Sequence, residues 1–306
     1  MSFEQYPQPG ARGFGVQPGE SDSTFSYRVL GVLEVRRGGK PVDVPKGNTL
    51  NVLAALLLNA NTTVTAEMLI ERIWGDRPPK TARAVLQNCV SRLRSLGEPA
   101  RGVRAIPMPI VTGPNGYSIR VAEGALDLYR FDRLMIDADR ASAEGRTREA
   151  ADLLHRGLTL WHNDLLSDVT APGLRHIEIR QLGERRAAVL DRWADLELGS
   201  GQAHRVIPEL RRAITAMPTA ERLRYQLVRA LVDNQQIGEA SRLLRETETM
   251  LRDRYGLEAW PVLERWWRQL VIQASGDSAH WPQIVNPMTT EAVACGIPAM
   301  SKKAMR

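Results

Sequence analysis

Residues 80–96 read KTARAVLQNCVSRLRSL, and the order of apolar and polar side chains in this stretch decides the fold. Ala82, Leu86, Cys89, Leu93 and Leu96 recur at the spacing of one helical face. At about 100° per residue, the opposite face holds Lys80, Arg83, Ala84, Gln87, Asn88, Ser91, Arg94 and Ser95, with Arg92 on its flank. A helix over 80–96 with an apolar back and a polar, cationic front is predicted.

The chain before it divides readily. Tyr27, Val29, Val32, Leu33 and Val35 lie in short strand-like runs, and Gly38-Gly39 turns the chain into Pro41–Val44. This pattern predicts a small antiparallel sheet. A first helix is expected from Thr49 to Asn59, with Leu50, Leu53 and Leu57 on its buried side and Val52 and Leu56 widening it. After the polar break Asn59–Thr63, Thr65 is a good N-cap and Glu67 suits the first turn of a second helix ending near Trp74. Gly75-Asp76-Arg77-Pro78-Pro79 stops that helix and opens the next.

Beyond residue 96, a Gly/Pro break at Gly97–Pro99 leads to Ile106–Thr112, Gly113-Pro114-Asn115-Gly116 and Tyr117–Val121. An Asn-Gly between two apolar runs predicts a hairpin. From Asp127 to about Gln273 the period is helical throughout, with breaks near Glu144-Gly145, Ala171–Gly173, Gly199–Gly201, Met217-Pro218, Gln236–Gly238 and Tyr255-Gly256. Three related helix starts, GRTREAADLLHRGL, GQAHRVIPELRRAI and QIGEASRLLRET, suggest a solenoid of helix pairs resembling tetratricopeptide repeats. Residues 1–24 and 276–306 lack an apolar period and are expected to be a disordered leader and a mobile tail.

The chain has 306 residues and a net charge of +6, and its ordinary composition excludes fibrous and fully disordered classes. No apolar run reaches the roughly 18 residues of a membrane span, and the N-terminus shows no charged-then-apolar signal pattern. A cytoplasmic, nucleoid-associated protein is expected. Cys89 and Cys295 are too far apart in sequence for a zinc motif and suggest no disulfide framework. The five histidines do not cluster, and no nucleophile motif is present, so neither a metal, a cofactor nor an enzyme is expected. Cys89 reads as a core residue and Trp74 as a core anchor, while Trp266-Trp267 cannot both face one core. The excess charge is local. Arg72, Arg77, Lys80, Arg83, Arg92, Arg94, Arg101 and Arg104 face only Asp76 and Glu98 within residues 72–104, whereas residues 126–275 are balanced.

A local cationic field suggests a polyanion. Arg, Asn and Gln pair with base edges, and Lys and Ser serve bases or phosphates. A helix about 10–12 Å across fits the major groove. Lys80, Thr81, Arg83, Gln87, Asn88, Ser91, Arg92 and Arg94, with Asn115 on the hairpin, are therefore the candidate DNA contacts. Sheet, three helices and hairpin make an α+β winged helix-turn-helix domain over 25–125, followed by an all-α helical repeat domain over 126–275. The segment 25–125 is expected to bind DNA by itself. The other reading is a repeat scaffold or ligand sensor whose basic domain is incidental.

Residues 25–275 resemble the Streptomyces antibiotic regulatory proteins. The resemblance rests on YRVLGVLEVRRGGKPVDV, on LNVLAALLLNANTTVTAEMLIERIWGDRPPKTARAVLQNCVSRLRSLG, on GYSIRV, and on LDLYRFDRL, Glu149–Leu154 and YGLEAWPVLERW in the second domain. It implies an OmpR-type winged helix joined to a bacterial transcriptional activation domain. It also implies an activator of secondary-metabolite gene clusters that binds direct repeats near promoter −35 elements as tandem copies and recruits RNA polymerase holoenzyme through its sigma, alpha C-terminal or beta parts. In that fold the Gly75–Pro79 loop lies beside DNA, which makes Asp76 and Arg77 candidate polymerase contacts. The sequence departs from the family's Pro-Lys-Gln-Arg at Pro45-Lys46-Gly47-Asn48. It also contains no Gly-x-x-x-x-Gly-Lys-Ser/Thr run.

Overall fold

A computed structural model describes residues 25–96, 107–162, 164–218 and 220–255. The expected leader, the Gly97–Pro99 break, the helices after residue 255 with Trp266-Trp267, Cys295 and the tail lie outside the described residues. Contacts divide the chain into two compact units, Met1–Leu196 with Thr215–Met217, and Glu197–Ile214 with Pro218–Arg306. Among the described residues no helix is long and apolar enough to cross a membrane.

The first unit opens with an antiparallel sheet of β1 (Phe25–Arg28), β2 (Glu34–Arg37) and β3 (Lys40–Val42). Tyr27 lies opposite Val35, and Val35 opposite Val42. Gly38 and Gly39, with φ of 53° and 77°, make the expected turn. Helix α1 (Asn48–Leu58) is buried from Thr49 to Leu58, much more widely than its predicted apolar stripe. Its polar Asn51 is satisfied in the interior: Asn51 Nδ2 donates to Thr170 Oγ1 at 3.3 Å, and Asn51 Oδ1 accepts from the Thr170 amide at 3.1 Å. The chain beyond residue 126 thus covers a side of α1 that a lone winged helix would leave to water.

Val64, just after the expected break, and the capping Thr65 form a short strand β4. It pairs with β6 (Gly116–Ile119), which pairs with β5 (Ile110–Thr112), in the order β4-β6-β5. Helix α2 (Ala66–Trp74) starts as expected, with Thr65 Oγ1 accepting the Met68 amide at 3.2 Å. Trp74 at its end is half-buried. Helix α3 (Ala82–Ser95) starts later than predicted, since Pro78 and Pro79 stay in the turn and the Ala82 amide bonds Pro79 O. Its buried residues are Ala82, Leu86, Cys89, Val90 and Leu93, while Leu96 is only half-buried. Gly116 does more than help a turn: a Cβ there would lie 2.0 Å from Val64 O, so β4 can pair only against glycine.

Helices α4 (Asp127–Ala143) and α5 (Thr147–Leu158) form a hairpin. Phe131 meets Trp161 edge-on at 5.3 Å, and His155 stacks on Trp193 at 4.8 Å. The predicted helical continuity fails between Thr159 and Ala171, where the described residues are irregular. Several of its polar groups bond the link between β1 and β2 instead of a helix of their own. The His162 amide donates to Leu30 O at 2.8 Å, the Leu166 amide to Gly31 O at 2.7 Å, and Asp168 Oδ1 accepts the Leu33 amide at 3.2 Å. Then follow α6 (Pro172–Leu174), a π-helical turn (Arg175–Ile179) and α7 (Arg180–Gly199).

In the second unit, α8 (Ala203–Ala216), α9 (Glu221–Asp233) and α10 (Ile237–Tyr255) continue the helical series. The repeat-like starts at Gly201 and Gln236 open α8 and α10. Arg211 Nη2 reaches both carboxylate oxygens of Glu239 at 2.8 Å. The carboxyl of Asp233, which ends α9, is pushed up to about 7 by burial against the pull of Arg229. The folded unit holds that proton more tightly than an unfolded chain does. The resulting stability is fully present below about pH 4 and lost as pH rises through 7. Asp233→Asn is expected to flatten this dependence by on the order of 1 kcal/mol after solvent screening. Urea unfolding near pH 5 and near pH 8 checks it; an equal pH response in both proteins would contradict it.

Candidate nucleic-acid interface

Helix α3 rests its apolar back on α1 and α2, which leaves Arg83, Ala84, Gln87, Asn88, Ser91, Arg92 and Ser95 exposed. Thr49 Oγ1 donates to Cys89 Sγ at 3.7 Å in the buried seam. Gln87, Asn88, Ser91 and Arg92 thus share one open surface. Lys80 and Thr81 are exposed too, but in the turn ahead of the helix, beside the exposed Asp76, Arg77, Pro78 and Pro79.

Two arginines are not free in the way the helical wheel suggests. Arg83 is ion-paired with Glu67 of the first turn of α2. Arg94 is half-buried and turns to the hairpin: Nε donates to Ile110 O at 3.0 Å and Nη2 to Thr112 Oγ1 at 2.7 Å. Its position two residues after Arg92 brings it round to β5, so it joins α3 to the wing hairpin. Asn115 is exposed at the hairpin tip, and its carbonyl accepts the Ala66 amide at 3.0 Å, tying the tip to the start of α2. Arg120, just past β6, is a further exposed cation. The alternation of Tyr117–Val121 marks it as outward-facing.

Arg94→Ala is expected to lower stability by about 1–2 kcal/mol through loss of two charge-assisted hydrogen bonds. Arg83→Ala should cost below about 1 kcal/mol, because its ion pair is solvent-exposed. Denaturant midpoints of the two variants measure the difference, and equal midpoints would contradict the assignment.

Residues 126–271 match the family of the bacterial transcriptional activator domain, and residues 40–106 match that of the transcriptional regulatory protein C-terminal domain. The transcriptional regulatory protein MoaR1 of Mycobacterium tuberculosis is 30% identical over 267 residues, which cover 86% of this chain and 84% of MoaR1. The chain belongs to the Streptomyces antibiotic regulatory protein family. Members of this family are transcriptional regulators, here with a winged helix followed by tetratricopeptide-like helices. Regulatory protein AfsR of Streptomyces coelicolor is 34% identical over 88% of this chain, which spans only 26% of AfsR. The solved structure of Mycobacterium tuberculosis EmbR, in complex with a low-affinity phosphopeptide, has a TM-score of 0.67 at 28% identity. That match covers 83% of this chain and 66% of the EmbR chain.

Proposed function

We propose that this family member is a sequence-specific, cytoplasmic activator of a secondary-metabolite gene cluster, with residues 25–125 as its DNA-binding domain and 126–275 as its activation domain. The observation that carries this reading is the open face of α3. Gln87, Asn88, Ser91 and Arg92 stand exposed on one helix surface, braced from behind by α1 and flanked by the wing that Arg94 holds. A surface of amides, a hydroxyl and a guanidinium matches base edges in the major groove, while Lys80, Thr81 and Asn115 stand where phosphates would pass. Arg83 contacts DNA by leaving Glu67.

One such helix reads only a few base pairs, so copies act in tandem on direct repeats near −35 elements. The exposed Asp76-Arg77 loop and the helical domain then face RNA polymerase. The test is a gel shift with the full-length protein and a promoter fragment at fixed salt. Arg92→Ala and Asn88→Ala should each weaken binding by about 1–3 kcal/mol, and footprints should show paired direct repeats. Variants that bind as tightly as wild type, or a single unrepeated half-site, would refute the reading.

A further inference from the structure

Helix α2 leads directly into the loop and the recognition helix, and its last turn is gripped from outside the winged helix. Arg72 Nε lies 2.7 Å from Glu178 Oε1, with side chains only 18% and 11% exposed. Arg72 Nη1 and Glu178 Oε2 are buried without a hydrogen-bond partner among the described residues. Each charge therefore depends on the other, since a buried charge left alone is strongly unfavourable. Burial pushes the Glu178 carboxyl up, and the neighbouring Arg72 draws it back down.

The backbone is equally close. A Cβ on Gly173 would fall 2.7 Å from Arg72 Cα and 2.8 Å from the carbonyl oxygens of both Glu71 and Arg72. α6 is therefore seated on the backbone of α2, with no room for a methyl group. Glu71 O also accepts the amide of Gly75, the residue that ends α2 with φ of 64°. The contact thus bears on the point where the chain turns into Asp76–Thr81. Glu178 belongs to a π-helical turn between α6 and α7, an irregularity that recurs at functional positions. Leu174, next to Gly173, is fully buried and anchors the turn.

We infer that Gly173 and Glu178, both in the activator domain, are positioning residues for the helix-turn-helix. Together they set the last turn of α2, and with it the Asp76–Thr81 loop and the entry to α3. A displacement of the π-helical turn is passed to the DNA-facing surface through one ion pair and one backbone contact. The effect on DNA rests on the functional reading above; the effect on the loop does not.

Full-length protein carrying Glu178→Gln, and separately Gly173→Ala, tests this by amide hydrogen exchange and gel shift. Glu178→Gln keeps the shape and removes the charge, while Gly173→Ala adds the methyl that α2 cannot accept. Exchange across 73–86 should rise about tenfold in each variant, with the amides of Ala150–Leu154 staying within about twofold as reference. DNA dissociation constants should rise about fivefold. Wild-type exchange at 73–86 in both variants would overturn the inference. So would an equal rise at the reference amides, which marks general loosening, or a loosened loop with unchanged affinity. If the wild-type protein binds no promoter DNA, the functional reading falls and the exchange data alone decide this inference.

Discussion

Replacing Asp127 by alanine is expected to cost the first unit about 4 kcal/mol. This carboxylate is buried at the start of α4. The Val29 amide donates to its Oδ1 at 2.9 Å and to its Oδ2 at 3.0 Å, and the Leu30 amide donates to Oδ2 at 3.0 Å. Burial raises its pKa and the amides oppose that rise. Val29 and Leu30 are themselves fully buried, so neither amide can turn to water once the acceptor is gone. Each unsatisfied buried donor costs about 1–3 kcal/mol, and loss of an acidic residue from a helix's first turn adds about 0.3–1 kcal/mol. Asp127→Asn keeps one acceptor oxygen and should lose roughly half as much. Urea unfolding followed by far-UV dichroism measures both, and an unshifted first transition in the alanine variant would refute the account. The same bonds bear on the expectation that 25–125 acts alone. A fragment ending at 125 lacks Asp127, His162, Leu166, Asp168 and Thr170, all of which bond the winged-helix region. It is expected to need residues up to the end of α7 for its native stability.

Affinity for promoter DNA is expected to fall about 150-fold between about 50 and about 200 mM salt. Arg77, Lys80, Arg83 and Arg120 are exposed on or near α3 and the wing. Four phosphate contacts give a log–log slope of about −3.6 for duplex DNA, and a fourfold rise in salt then removes about two decades of affinity. Two copies on a direct repeat steepen the slope further. Arg92→Ala, which removes a base contact, should weaken binding and leave the slope almost unchanged; Lys80→Ala should lower the slope by about 1. Titrations at four salt concentrations decide the matter. A flat response would exclude this cationic surface as the source of affinity.

The sequence by itself determined the elements whose signals are local. Helix α3 could be read from residues 82–93 because one of its sides is buried and the other is not, which imposes a 3.6-residue period on the chain. The hairpin could be read from Gly113–Gly116, the first sheet from its turn at Gly38-Gly39, and the start of α2 from Thr65, since turn and cap chemistry act within a few residues. The open face of α3 followed from the same period. Contacts between distant residues left no such mark. β4 has two residues and exists only because β6, far along the chain, pairs with it. Arg94 looks like any other cation on the wheel until β5 arrives beside it. Residues 159–171 carry a helical pattern, yet the His162 and Leu166 amides find their partners in Leu30 and Gly31, between β1 and β2. Gly31, Gly116 and Gly173 are needed because another backbone passes where a Cβ would stand. Glu178 resembles the solvated acids around it until α6 and the π-helical turn bring it to Arg72. Periodicity records which side of an element is buried; only the folded chain decides what lies against it.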